Sequence, residues 1–347
     1  MTYQKLGKWE EAAIAIQDAF DQIILIDKTN NPAGVQAQTL DVQGQLQLAL
    51  GEGADAAESW KLASELYSEM GDESRAISSK LNQIQALQSL GLFHQVKAAL
   101  LETKSYLDEQ SDSEVKSIAL RQLADSLWMT GNTQIKIEES SSNNEDETID
   151  VNELFEMSVG IATRLERPDL STATQLSFGN FHRHQFLTAS DSSVNDSTGH
   201  FTLALYSYQQ AAQSPIENVR IQSLLNQFSL KVSPDVDWLN NLSDRSRLQS
   251  SYCNSACIEN IFQQTPTRLY AAIRDDINNL GMGQQTIYAY VGLVDSLLEW
   301  EKNPNRFAEA LALLSEAENY AIKLQDKRSL SYIQGTRGHL YELQYDK

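Results

Sequence analysis

From Asp72 to Gln110 the apolar positions step by three and four residues. Ile77, Leu81, Ile84, Leu87 and Leu90 share one face of a helix, and Phe93, Val96, Leu100 and Leu107 share one face of a second. Gly91 stands between them, where a left-handed turn costs glycine no side-chain clash. Two amphipathic helices joined by so short a turn fold back as an antiparallel hairpin. One hairpin leaves apolar surface bare and needs neighbours of its own kind. The turn recurs: LGKWEEA at Leu6–Ala12, LGEGADA at Leu50–Ala56 and LGLFHQV at Leu90–Val96 are variants of one phrase, and Thr130-Gly131 is a weaker fourth copy. Gly51, Gly91 and Gly131 fall 40 residues apart.

The same periodicity predicts helices near Lys8–Asp27, Gly34–Leu50, Gly53–Met70, Asp72–Leu90 and Leu92–Glu109. A capping box of Ser111 and Glu114 opens another, which reaches Met129. Further helices are expected near Val151–Leu165, from Pro168, and near His200–Gln213 and Ile216–Lys231. Gln249–Gln263, Pro266–Leu280, Gln284–Trp300, Phe307–Gln325 and Arg328–Gln344 complete the set. Two polar stretches interrupt the pattern. In 132–150, the part from Glu138 to Asp150 holds six acids, three serines and two asparagines without an aromatic, the composition of a flexible insertion rather than a sheet. The second spans 188–199 and contains SDSSVNDST. Residues 1–131 therefore read as one helical segment and 151–232 as a second. In 233–347 an irregular link precedes a third.

Composition agrees with helix: six prolines and sixteen glycines in 347 residues leave few breakers. The formal charge of −20, from 27 Lys+Arg against 47 Asp+Glu, argues against nucleic acid and against an anionic membrane surface. No apolar run approaches the length of a membrane span, and MTYQKLGKWEEAA at the start has no apolar signal region. A cytoplasmic location follows as the expectation; Cys253 and Cys257, four residues apart on one helix, could at most clip adjacent turns, no disulfide framework is implied, and Cys253 reads as a partly buried structural thiol.

The repeated units resemble tetratricopeptide repeats. Aligned on the turn glycine, the family's small–large–small packing set falls on Ala12, Ile16 and Ala19, on Ala56, Trp60 and Ala63, and on Val96, Leu100 and Thr103. Its close-crossing position falls on Gly44, Ile84 and Ala124. Ala204, Tyr208 and Ala211 repeat the set, as do Phe307, Ala310, Leu314 and Ala317, and Gly338 and Tyr341 match two first-helix positions. Leu298–Gln344 and Gly71–Gly91 are similar to the narrower group of arrays that precede a caspase-like CHAT protease domain. The likeness covers most of the chain outside the two interruptions. It implies an all-α, right-handed α-solenoid of about 14–15 helices in antiparallel pairs. No segment after Gln344 is long enough for the protease domain, so the resemblance implies a repeat scaffold. The alternative it implies is a regulatory or fragmentary subunit of a CHAT-type protease system. The terminal helices, each expected without its hairpin partner, would be free to self-associate.

Candidate chemistry is sparse. Cys253 with His182, His184 or His200 would be a nucleophile–base pairing, but no signature of a cysteine protease surrounds it. His182 and His184 stand two apart, on opposite sides of a helix, and so cannot share a metal. Gly281-Met282-Gly283 lacks the strand and third glycine of a dinucleotide loop and reads as a helix stop. Neither catalytic residue, cofactor nor metal is expected. The resemblance instead implies protein or peptide binding on a concave face. Its inner positions select Gln85 and Gln88, then Arg121, Asp125 and Trp128, then Asn180 and Arg183. No lysine–asparagine set matches the family's dicarboxylate clamp.

Overall fold

The computed structural model describes residues 9–25, 33–136, 148–188, 194–234, 253–281 and 283–345. Among these lie fifteen α-helices and one pair of short strands. The chain divides into two compact units, Met1–Glu166 and Arg167–Lys347.

The first unit runs α1 (Trp9–Leu25), α2 (Ala33–Leu50), α3 (Gly53–Glu69), α4 (Glu73–Ser89), α5 (Phe93–Glu109), α6 (Glu114–Met129), β1 (Gln134–Lys136), β2 (Thr148–Asp150) and α7 (Val151–Arg164). Each helix packs on the next, and α4 also packs on α6, the first helix of the following hairpin. Gly51, Gly71, Gly91 and Gly131 all take the left-handed conformation at a helix end, and after the first three the next helix begins at once. Asp72 caps α4 by accepting from Arg75 N. Of the expected packing positions, Ala12 and Ile16, Ala56, Trp60 and Ala63, then Val96, Leu100 and Thr103 are buried, whereas Ala19 is only partly covered. A Cβ on Gly44 would lie 2.8 Å from Trp60 Cε2, so only glycine admits the indole at this crossing of α2 and α3. Ser117 of α6 and Ser158 of α7 each donate to the other's carbonyl, at 3.0 and 2.7 Å, where the two helices cross.

Three local expectations differ from the structure. Ser113, not Ser111, caps α6, accepting from Lys116 N, which places Glu114 at the first helical position. Phe93 opens α5 with 58% of its surface exposed instead of joining the buried stripe. The ends of the acidic stretch form an antiparallel β pair with Ile135 opposite Ile149, both buried. Two isoleucines that hide against each other and the helices justify so short a pair. Residues 137–147 lie outside the described residues.

The second unit runs α8 (Pro168–Thr188), α9 (Val194–Ala211), α10 (Glu217–Val232), α11 (Ser255–Gln263), α12 (Pro266–Asn279), α13 (Gln284–Glu299), α14 (Arg306–Lys323) and α15 (Lys327–Tyr345). Helix α9 starts at Val194, before the expected His200, so part of the second polar stretch is helical. The irregular link is described only at its ends, and the helix expected from Gln249 begins at Ser255. Helix α10 packs on α8, α9, α12 and α13, and α13 packs on α14 and α15. Ala204, Tyr208 and Ala211 are fully buried, and a Cβ on Gly179 would lie 2.6 Å from Tyr208 Cε1. The crossing of α8 and α9 thus repeats that of α2 and α3. Ala310, Leu314 and Ala317 are likewise buried, in a core shared by α10 and α12–α15, with Phe307 at its margin. Gly338 meets no atom within 4 Å of where its Cβ would stand.

Candidate functional site

The residues selected from the sequence fall into two groups, one in each unit. In the first unit they lie on the packed pair α4 and α6. Gln88 Nε2 donates to Ser126 O at 2.8 Å and ties the two helices together. Trp128 Nε1 donates to Asp125 Oδ1 at 3.3 Å. Arg121 precedes Asp125 by one turn on α6, and Gln85 is exposed one turn before Gln88 on α4.

In the second unit Asn180 Oδ1 accepts from Tyr208 Oη at 3.0 Å and from Asn226 Nδ2 at 2.8 Å. Arg183 donates to Ser229 Oγ at 3.0 Å. These bonds pin α8 to α9 and α10, so Asn180 and Arg183 are already engaged within the fold. Burial pushes the Tyr208 phenol well above its ordinary value, which keeps it a neutral donor to Asn180.

Beside this second group lies an open groove of about 360 Å³ that the sequence reading missed. Helices α8, α10 and α13 and the end of α12 build it. Leu176, Leu225, Leu280 and Tyr288 give apolar surface, while Asn218, Gln222 and Gln285 add carboxamides, and no charged residue lines it. Tyr288 is 46% exposed. Its residues come from four separated segments, so no local sequence signal marks it.

The titratable clusters hold helices together. Asp41 of α2 accepts from Ser79 Oγ of α4 at 2.7 Å. Burial raises the Asp41 carboxyl, against its bonds from Ser79 and Tyr67, and raises Tyr67 to about 12. His182 of α8 faces His200 of α9 with their Nδ1 atoms 2.8 Å apart. Burial, and then the charge of His200, lower His182 to about 3. The partner of His182 is thus 18 residues away on the next helix, which the spacing of His182 and His184 could not show. Lys231 Nζ donates to Ile261 O and Gln264 O, both at 2.6 Å, and burial lowers it to about 8. It holds the last carbonyls of α11.

Cys253 and Cys257 are joined in a disulfide, the local clip their spacing allowed, so Cys253 is not the structural thiol expected. Cys253 precedes the cap residue Asn254 and stands outside α11, so the two cysteines do not share a helix. Bonded in this way, Cys253 Sγ offers no thiolate for nucleophilic attack. Among the described residues no group of three or more His, Cys, Asp or Glu could hold a metal ion, and no helix is long and apolar enough to cross a membrane. Helix α1 exposes Ile14, Ile24 and Leu25, and α15 exposes Tyr332, Tyr341 and Leu343. Compared with known proteins, the chain matches no family model and no curated protein is significantly similar to it.

Proposed function

We propose that this chain is a tetratricopeptide-like helical-repeat scaffold that holds a peptide or a segment of a partner protein and catalyses no reaction of its own. The groove of α8, α10 and α13 carries this reading. It is open, largely apolar and uncharged, and its carboxamides can both donate to and accept from a peptide backbone. Apolar side chains laid into it leave water at a gain of about 25 cal/mol per Å², and an extended segment or an amphipathic helix suits such a trough. The recurrence of the glycine–aromatic crossing, Gly44 on Trp60 and Gly179 on Tyr208, supports hairpins of one kind in both units. Stacking of such hairpins in a right-handed sense would put their first helices on the inner side.

Selection of displayed 12-residue peptides on the full chain tests the reading, with the double variant Leu176→Glu/Tyr288→Glu as counter-screen. Enriched peptides should bind the native chain and lose at least about 10-fold in affinity on the variant, the loss expected when a charge must be buried in an uncharged site. Enrichment of none, or of peptides indifferent to the variant, would reject it. The likeness of Leu298–Gln344 to arrays beside CHAT proteases supports a caspase-like protease as one partner, and failure of such a protease to co-purify with the chain would remove that choice.

A further inference from the structure

Helix α11 is nine residues long, too short to persist alone, and is fastened at both ends. At its C-terminal end Lys231 of α10 takes the carbonyls of Ile261 and Gln264. At its N-terminal end Asn254 Oδ1 accepts from Cys257 N at 3.1 Å, and the disulfide joins the same turn to Cys253. The two sulfur-bearing residues differ in environment. Cys253 is fully buried in a cluster with Phe186, Phe201, Leu205, Tyr208 and Ile258, whereas Cys257 is only partly covered. A thiol entering from solvent therefore cannot reach Cys253. If it attacks Cys257 in the closed structure, the leaving group is a Cys253 thiolate in apolar surroundings, where the charged form is disfavoured.

We propose that the Cys253–Cys257 disulfide is a conformationally gated redox site, exchanged with a dithiol reductant only when α11 lifts from the α8–α9 surface. In the opened segment a thiolate of the dithiol attacks Cys257 Sγ. The protein S–S bond breaks, and Cys253 leaves as a thiolate that takes a proton from water. The second thiol of the reductant, deprotonated by water, then attacks the mixed disulfide. This releases the Cys257 thiolate, which is protonated in turn, and closes the reductant into its own cyclic disulfide. Two electrons pass from the dithiol to the protein. Tyr208, which orients Asn180, sits in the same buried cluster, so undocking of α11 loosens the support of that polar surface.

The experiment measures reduction of the full chain, folded in oxidising buffer, by dithiothreitol, with iodoacetamide trapping and mass spectrometry. The reference is the free disulfide-closed peptide Cys-Asn-Ser-Ala-Cys, the sequence of residues 253–257. The native chain should contain no alkylatable cysteine before reduction. It should be reduced at least about 100-fold more slowly than the peptide, as expected when exchange waits for local opening. Lys231→Met should raise the rate at least about 10-fold, and the milder Ile261→Val about threefold, since both loosen α11 without touching a sulfur. Free thiols in the oxidatively folded chain, reduction as fast as the peptide, or a rate unmoved by Ile261→Val would each overturn the proposal.

Discussion

Replacing Gly179 with alanine adds one methyl group where the crossing of α8 and α9 has no space for it. Its Cβ would lie 2.6 Å from Tyr208 Cε1 and 2.7 Å from Cδ1, whereas carbon atoms in favourable contact stand about 3.5–4.0 Å apart. The ring cannot retreat, because Tyr208 is fully buried and its Oη is held by Asn180. Two effects oppose each other. Alanine in a helix interior is better than glycine by about 1 kcal/mol. Overpacking a dense core costs about 1–3 kcal/mol, and a contact short by nearly 1 Å belongs at the upper end. The net expectation is a loss of about 1–2 kcal/mol. Gly335→Ala is the internal control: it lies in α15 with no atom within 4 Å of the added carbon, so the helix term acts alone and stabilises by about 0.5–1 kcal/mol. Urea unfolding followed by circular dichroism gives both signs. Hydrogen exchange across Pro168–Ala211 shows whether the first loss is local to the hairpin. A Gly179→Ala chain as stable as the native one, with unchanged exchange there, would refute the close crossing.

Trp60→Ala empties a buried indole site against Gly44 and should cost about 3–5 kcal/mol, read as a lower urea midpoint. His182 is depressed in the fold to about 3 from an ordinary 6.5, so its contribution is fully present above the unfolded value and is lost as pH falls. By pH 5 the loss should reach about 2 kcal/mol, and His182→Phe should flatten that part of the stability profile. Ser79→Ala removes one donor to the half-buried Asp41 carboxylate and should cost about 1–2 kcal/mol at neutral pH, measured by the same urea titration. Asp41→Asn in the Ser79→Ala background should recover part of that loss, because the half-buried charge, left with one fewer donor beside Tyr67, is gone.

What the sequence disclosed follows the range of each interaction. The turn glycines were legible because a left-handed backbone is a local demand that one residue type meets, and Gly51, Gly91 and Gly131 take it. The buried stripes through Ile84, Leu100 and Leu314 were legible because helical spacing is local as well. The Ile135–Ile149 pair was missed because three residues are too few to show an alternation of period two. The His182–His200 contact, the Gly179–Tyr208 crossing and the groove depend on which helix faces which, and no spacing within one helix states that. Of the seven residues selected for binding, Gln88, Asn180 and Arg183 turn out to fasten helices together. A polar residue on an inner helix face reads the same in sequence whether it meets a neighbouring helix or a guest.

The most direct test of the binding account is hydrogen–deuterium exchange of the full chain with and without a selected peptide. Slower exchange confined to the segments around Leu176, Asn218–Leu225 and Leu280–Ala289 is the predicted result. Protection elsewhere with those segments unchanged would contradict it.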